Sequence, residues 1–393
     1  MPIHYQQALE QIRRMGQKAR LRQAWLEALR EQAWQLLHEL AGEGVYLNAL
    51  AERGARFNPG LRCALAGAEP LDAVIPSMAS GQPRALLAAD GSQINPGRHG
   101  PVEFIAINVG AVCFRPGEPP REQIHTSLRF GEDCTIERRP MSDADVAIWR
   151  DLEERSLLME LARSHTRSGQ LVVTLTDGPL QLFGQGQESS FFKEKLQDYL
   201  GVLRELASLE TATAGYVDKP RSDYLVGLLE LALLERENKL GEAGRERPLW
   251  PVRDRDVFAR LLGPGERSAV LALRLPEPNP FTGELALHCF YLNVGRAGRA
   301  QIARVEVPRW VAENPALLNL LQEVLVEQSA QLGPRPYPYL LHRAHEVAVV
   351  HPDEIEEIER MIQAELRRQG VEPDDKSNKQ FAKELQRRTR INE

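Results

Sequence analysis

Leu171-Val172-Val173-Thr174-Leu175-Thr176-Asp177-Gly178-Pro179 is the stretch on which the fold turns. A short run of aliphatic and β-branched residues reads as a buried strand, and Asp-Gly-Pro closes it in a turn. An earlier stretch repeats the pattern, with Ala85-Leu86-Leu87-Ala88-Ala89 leading into Asp90-Gly91-Ser92 as a strand that ends in a turn. Between the two lie a strand over Val102 to Phe114, a third near His125 to Phe130, and a helix opening at Ser142 or Asp143 and running through Ala162 to the break at Gly169. The acidic start suits the positive end of the helix dipole. Two strands that each deliver Asp-Gly, with a helix just before the second, predict a mixed α/β sheet flanked by helices.

Working outward toward the C-terminus, the pattern predicts a helix at Phe191 to Leu209, a strand at Ala212 to Val217 and a helix from Asp223 to Glu235. Strands follow at Ser268 to Leu275, Leu285 to Asn293 and Ala303 to Val307, then helices at Pro315 to Gln331, Leu340 to Val349 and Pro352 to Gln369. Glu237 to Arg247 reads as a solvated surface loop. Toward the N-terminus, Tyr5 to Leu40 contains one glycine, Gly16, and no proline, and Leu21, Trp25, Leu26, Leu29 and Trp34 recur at helical spacing. The division this implies is a helical N-terminal extension over 1–60, an α/β domain over 83–350, and a C-terminal helix with a basic tail over 351–393.

Composition narrows the class. Of 393 residues, 42% are hydrophobic and 26% charged, the balance of a globular chain. No apolar run approaches the ~20 residues of a membrane span; the richest, Leu225 to Leu234, is interrupted by Glu230. The first residues lack a signal-peptide pattern, and Cys63, Cys113, Cys134 and Cys289 lie far apart with no CxxC pair. A cytoplasmic protein with no membrane association is expected. The net charge of −6 does not announce a nucleic-acid binder, although 41 of the 49 cations are arginine, the better fork for phosphate.

Chemistry is looked for first at the strand ends. Carboxylates held on neighbouring strands and followed by glycine would converge on one pocket, and hard divalent metals take oxygen ligands of that kind. Asp90 and Asp177 are therefore candidate ligands, with the alternative that Asp-Gly merely marks turns. Lys219 and Arg221 could meet a phosphate backbone. His342 and His345 are three apart, near one another on a helix, without the His-Glu-x-x-His order of a zinc protease. From Lys376 to Arg390 six cations face one acid, Glu384, a DNA- or partner-facing arm or a frayed end. No GxxxxGK[ST] loop, GxSxG elbow or complete dinucleotide fingerprint occurs.

A series of motifs resembles the NurA nuclease family, in its bacterial branch. The series begins with Leu87-Ala88-Ala89-Asp90-Gly91-Ser92-Gln93-Ile94, Ile107-Asn108-Val109-Gly110 and Thr176-Asp177-Gly178-Pro179-Leu180. Next come Ala214-Gly215-Tyr216-Val217-Asp218-Lys219-Pro220-Arg221-Ser222, Asp254-Arg255-Asp256-Val257-Phe258 and Gly265-Glu266-Arg267-Ser268. It closes with Phe290-Tyr291-Leu292-Asn293, Arg304-Val305-Glu306-Val307-Pro308-Arg309-Trp310, Tyr337-Pro338 and Ala344-His345-Glu346. Each is short; their order over about 85–350 is specific.

The resemblance implies an RNase H-like core and a DNA nuclease dependent on manganese (Mn²⁺) or magnesium (Mg²⁺), acting 5′ to 3′. It also implies a homodimer and a HerA-type hexameric translocase as partner in DNA end processing. Residue by residue, Asp90, Asp177 and Asp254 match the family's acids and His345 its C-terminal histidine. A further glutamate comes from the helix before the second Asp-Gly, where Glu153, Glu154 and Glu160 are available; Glu154 is favoured because it follows Arg150 by four residues. Pro179 stands where many relatives have serine. On this reading Asp90, Glu154, Asp177 and Asp254 hold the metal, His345 assists at the phosphate, and Lys219 and Arg221 position DNA. The rivals are a catalytically silent DNA-binding adaptor of the translocase and a nucleotide-binding enzyme of the same broad fold.

Overall fold

The computed structural model describes residues 4–79, 81, 84–96, 102–166, 170–184 and 189–372. They form two compact units, each built from two separate segments: residues up to 79 with 216–336, and 81–215 with 337–372. These units cut across the linear division at 60, 83 and 350, because the N-terminal helices belong with 216–336 and the helices after 337 belong with 81–215. The basic tail lies outside the described residues.

The unit containing 81–215 carries a mixed sheet in the order Ala212–Val217, Leu171–Asp177, Arg84–Ile94, Phe104–Phe114, Arg121–Phe130, with the unit boundary falling after Gly215. The last three form an antiparallel meander, and Leu171–Asp177 lies parallel to Arg84–Ile94 on its other side. A meander extended past its first strand by a parallel strand after a crossover helix is the RNase H-like order that the sequence led us to expect. The crossover helix is Asp143–Thr166.

One expectation needs correcting. Asp90-Gly91-Ser92 is not a turn: the strand continues to Ile94 and pairs with its antiparallel neighbour as far as Ile94↔Ala106. Pairing with the parallel strand stops earlier, at Ala89↔Thr176. The two strands therefore part where their aspartates begin. Gly178, by contrast, has φ +87°, a left-handed turn that disfavours any residue with a β-carbon.

The Asp143–Thr166 helix is fixed at its start by a reciprocal cap. Ser142 donates from its backbone N–H and its hydroxyl to Asp145 Oδ2 at 2.8 and 2.6 Å, and Asp145 N–H donates back to Ser142 Oγ at 3.3 Å. Arg139 closes on the same carboxylate with two bonds of 2.7 and 3.2 Å.

The other unit holds an antiparallel sheet in the order Cys63–Leu65, Leu271–Arg274, Leu287–Asn293, Ile302–Pro308, with helices Tyr5–Glu39, Gly44–Phe57, Tyr224–Arg236, Asp254–Leu261 and Pro315–Ala330. Glu237 to Arg247 is not a free loop. Leu240 and Ala243 are buried, and Arg247 pairs with Glu230, the acid inside the apolar run, and with Asp223 at 3.0 Å. A buried carboxylate needs such a partner, and the segment is folded back to supply it. Among the described residues no helix is long and apolar enough to cross a membrane.

Although burial acts to raise the Asp145 carboxyl, the bonds from Arg139 and Ser142 hold it below its ordinary value of 3.8. A depressed carboxyl contributes stability that is complete above its unfolded value and fades as pH falls through the lowered one. Asp145→Asn should therefore cost about 2 kcal/mol at neutral pH, and the gap to wild type should shrink below pH 3.8. Urea unfolding at pH 7 and below pH 3 checks both; an unchanged gap would remove the charged cap from the account.

Candidate active site

Successive residues of a strand face opposite sides of the sheet. Asp90 turns toward the helix Tyr339–Ala348, and Gly91 toward the helix Asp143–Thr166, so the two helices cover opposite faces of the sheet at adjacent positions of this strand. Each is allowed in by a glycine. A β-carbon on Gly110, the partner of Asp90 in register, would lie 2.6 Å from Ala348 N and 2.8 Å from Ala344 O. One on Gly91 would lie 2.6 Å from Arg150 Cγ and 2.7 Å from Glu154 Oε1. The end of the Tyr339–Ala348 helix is then pinned to the sheet. Ser92 Oγ and Asn108 Nδ2 donate to Ala348 O at 2.6 and 2.9 Å, and Thr126 donates to Asn108 Oδ1 at 2.7 Å.

This seat brings His345 to Asp90. Nδ1 lies 2.6 Å from Asp90 Oδ2, with the histidine side chain 65% exposed and the aspartate 19%. An ionised carboxylate can only accept, so Nδ1 carries the proton and Nε2 is the nitrogen left for another partner. His342 instead faces Glu346 at 3.6 Å.

Of the three helix glutamates, Glu154 is placed at this strand, 7% exposed, with Oε1 3.3 Å from Arg150 Nε. Glu153 turns away to accept from Trp149 Nε1 at 2.8 Å and to face His125 at 3.6 Å, and Glu160 is exposed. Sequence reasoning missed Asp151, one position after Arg150 and bonded to it at 2.9 Å. Burial pushes the Glu154 carboxyl well above the ordinary range, and the Asp151 and Asp90 carboxylates add to this against the pull of Arg150 and Arg155. Burial likewise raises Asp151, where Arg150 and Arg155 pull down and Asp90 pushes up. Asp90 is thus close enough to Asp151 and Glu154 to oppose the ionisation of both.

Asp177 ends its strand one position past the last row paired with the Asp90 strand, and is exposed. It borders a cleft of about 330 Å³ whose lining includes Asp151, Glu154, Gly178 and Tyr199. Arg155 braces the floor of this region by donating to Thr176 Oγ1.

The remaining candidates fall in the other unit. Asp254 is fully buried, accepts from Tyr224 N and Val226 N at 2.7 and 2.9 Å, and also accepts from the Tyr291 hydroxyl. Its oxygens are spent holding the start of the Tyr224–Arg236 helix. The structure therefore gives Asp254 a structural task in place of the expected metal contact. Lys219 is 71% exposed, 3.8 Å from Asp218, and has φ +45°, a conformation that a side chain disfavours. Arg221 is exposed.

Carboxylates alone make an oxygen donor set of the kind hard divalent cations take. Among the described residues, however, no group of three His, Cys, Asp or Glu side chains is gathered closely enough to hold an ion as it stands. Asp151 and Glu154 are drawn to Arg150 instead. The donors fit a hard cation in kind, and a guanidinium takes up two of them.

The NurA domain model matches residues 84–350. No curated protein was found to match the chain. Among solved structures, Ciona intestinalis endonuclease V in complex with a 24mer DNA aligns over 72% of this chain and 92% of its own at 12% identity and TM-score 0.33. The catalytic domain of human endonuclease V aligns over 81% and 97% at 15% identity and TM-score 0.31. LC9-RNase H1, a type 1 RNase H, aligns over 47% and 89% at 14% identity and TM-score 0.18. These likenesses are remote, and the assignment rests on the domain match.

If Gly110 exists to seat the His345 helix, Gly110→Ala should lower stability by about 2 kcal/mol, the usual scale of overpacking. It should also break the Asp90–His345 contact. Thermal unfolding together with the His345 imidazole NMR signal reads both; a signal identical to wild type would refute the seating role.

Proposed function

The chain belongs to the NurA family, and from that membership we propose that it is a divalent-metal-dependent DNA nuclease acting in end processing, 5′ to 3′. The observation that carries the reading is the meeting of Asp90 with His345 and of Glu154 with Asp90's strand, with Glu154 and Asp177 lining one cleft. Asp90, Glu154 and Asp177 would hold Mn²⁺ or Mg²⁺, with Asp151 adjacent. An ion held there would supply Lewis acidity to a phosphoryl oxygen and make a water more acidic.

The protein groups do the rest. Asp90 fixes the His345 ring with Nε2 turned away from the carboxylate; as the imidazolium, with a proton on each nitrogen, the ring can hydrogen-bond the scissile phosphate through Nε2 or protonate the leaving oxygen. Lys219 and Arg221 contact phosphates without reading bases, which suits cleavage of unrelated sequences. A HerA-type hexameric translocase and a second copy of this chain are the proposed partners. The exposed apolar side chains Tyr5, Leu9 and Ile12 share one stripe of the first helix and offer a docking face, with Trp25 exposed farther along the same helix. Trp34 is taken up internally, edge-on to His38 and beneath Arg260.

Asp90→Asn and Asp177→Asn should each reduce Mn²⁺-supported cleavage of linear DNA tenfold or more, since loss of ligands and their supports costs about 10–100-fold. Asp254→Asn should lower thermal stability instead and leave the folded fraction active. Labelling each DNA end in turn reads direction. Full activity of both ligand variants would overturn the assignment.

Binding should fall with salt, and Lys219→Ala or Arg221→Ala should each flatten the log–log slope by about one unit, equally for unrelated DNA sequences. Slopes that match wild type would place the DNA track elsewhere.

A further inference from the structure

Arg150 is an unusual neighbour for a cation site. Its Cγ lies over Gly91, its Nη1 donates to Gln93 Oε1 at 3.1 Å, its Nη2 to Asp151 Oδ1 at 2.9 Å, and its Nε stands 3.3 Å from Glu154 Oε1. One planar group thus touches three side chains from two elements. The Nε, although buried, completes no hydrogen bond of good geometry. Its approach to Glu154 is an ion contact, weaker than a formed bond and easier to exchange.

Arginine stays charged under all working conditions. With the guanidinium between them, the side chains of Gln93, Asp151 and Glu154 are held in place around one planar group. The cost is that Glu154 and Asp151 are engaged before any ion arrives.

We infer that Arg150 is a resident counter-cation, a guanidinium that holds the carboxylates ready and must release Glu154 when a divalent ion binds. The inference rests on the proposed metal site and adds a competition to it. Asp151 and Gln93 keep hold of the two Nη groups, so that release needs a swing of Nε away from Glu154 and no withdrawal of the whole side chain. This accounts for the absence, among the described residues, of a gathered three-carboxylate set alongside a donor set that suits a hard cation.

The test is binding of Mg²⁺ to the full chain without DNA, followed by calorimetry and by the rise in unfolding temperature. Arg150→Met keeps length and removes charge, while Arg150→Lys keeps charge but cannot reach three partners at once. The apo form of Arg150→Met should unfold at a lower temperature than wild type. It should bind Mg²⁺ about tenfold more tightly, because the ion no longer competes with a fixed charge. It should also show a larger rise in unfolding temperature at a given Mg²⁺ concentration. Arg150→Lys should fall between. Glu154→Gln added to Arg150→Met should cancel the gain in affinity.

Mg²⁺ binding by wild type that is unchanged or weakened in Arg150→Met would overturn the inference and leave the metal site standing. Absence of Mg²⁺ binding in both proteins would overturn the metal site and the inference with it. A misfolded Arg150→Met would move the test to Arg150→Lys, where affinity equal to or below wild type is the overturning result. Circular dichroism identifies that case.

Discussion

Two helices sit against a pair of neighbouring strands at a distance that β-carbons would disturb. A β-carbon at Gly110 would close to 2.6 Å on the backbone of the Tyr339–Ala348 helix and push it away, and one at Gly91 would displace the Arg150 and Glu154 side chains. Everything of functional interest follows from this closeness. The Asp143–Thr166 helix can lay Glu154 and Arg150 against the strand, and the Tyr339–Ala348 helix can present His345 to Asp90 at 2.6 Å. The hydrogen bonds from Ser92 and Asn108 to Ala348 O convert close packing into a fixed orientation, because a carbonyl held by two donors defines the helix end.

The site also illustrates an old tension between stability and chemistry. Buried like charges oppose folding, and a protein under selection for stability alone would replace them. Here the opposing carboxylates are retained and offset locally. Arg150 offsets Asp151 and Glu154, and Arg155, bonded to Thr176, draws on both from the same cleft. In the other unit the same rule appears with no opening to solvent, where Asp254 is buried among donors from Tyr224, Val226 and Tyr291. One carboxylate has its donors from the chain, and the other group keeps capacity in reserve.

Much of this was legible in the sequence because strands and helices advertise themselves by period. The strand at Ala212–Val217, the crossover helix and the placement of Asp90 and Asp177 on adjacent strands follow from apolar runs and their punctuation. What could not be read was long-range. Asp90-Gly91 carries the letters of a turn, yet this glycine answers to a helix some 60 positions away, which no local pattern encodes. Asp254 looks like any ligand in a motif, since a buried cap and a metal contact both call for a carboxylate among donors. Glu237 to Arg247 has the composition of solvated chain, and the buried Glu230 that claims Arg247 cannot be known before the fold. The interruption at Glu230 was visible, though its partner was not.

The Asp90–His345 contact joins residues 255 positions apart, and the unit that contains it is made from two segments separated by most of the other unit. A chain emerging from the ribosome therefore carries its strand-end carboxylates long before it carries the imidazole. Until residue 345 has been synthesised and its helix has docked, the nascent protein has half of the pair. Loop closure over such a separation adds only modest entropy beyond that of a much shorter loop, so the delay is one of synthesis order more than of thermodynamics. For a protein proposed to cut DNA, assembly that waits for the Tyr339–Ala348 helix keeps products truncated before it from bearing a finished site.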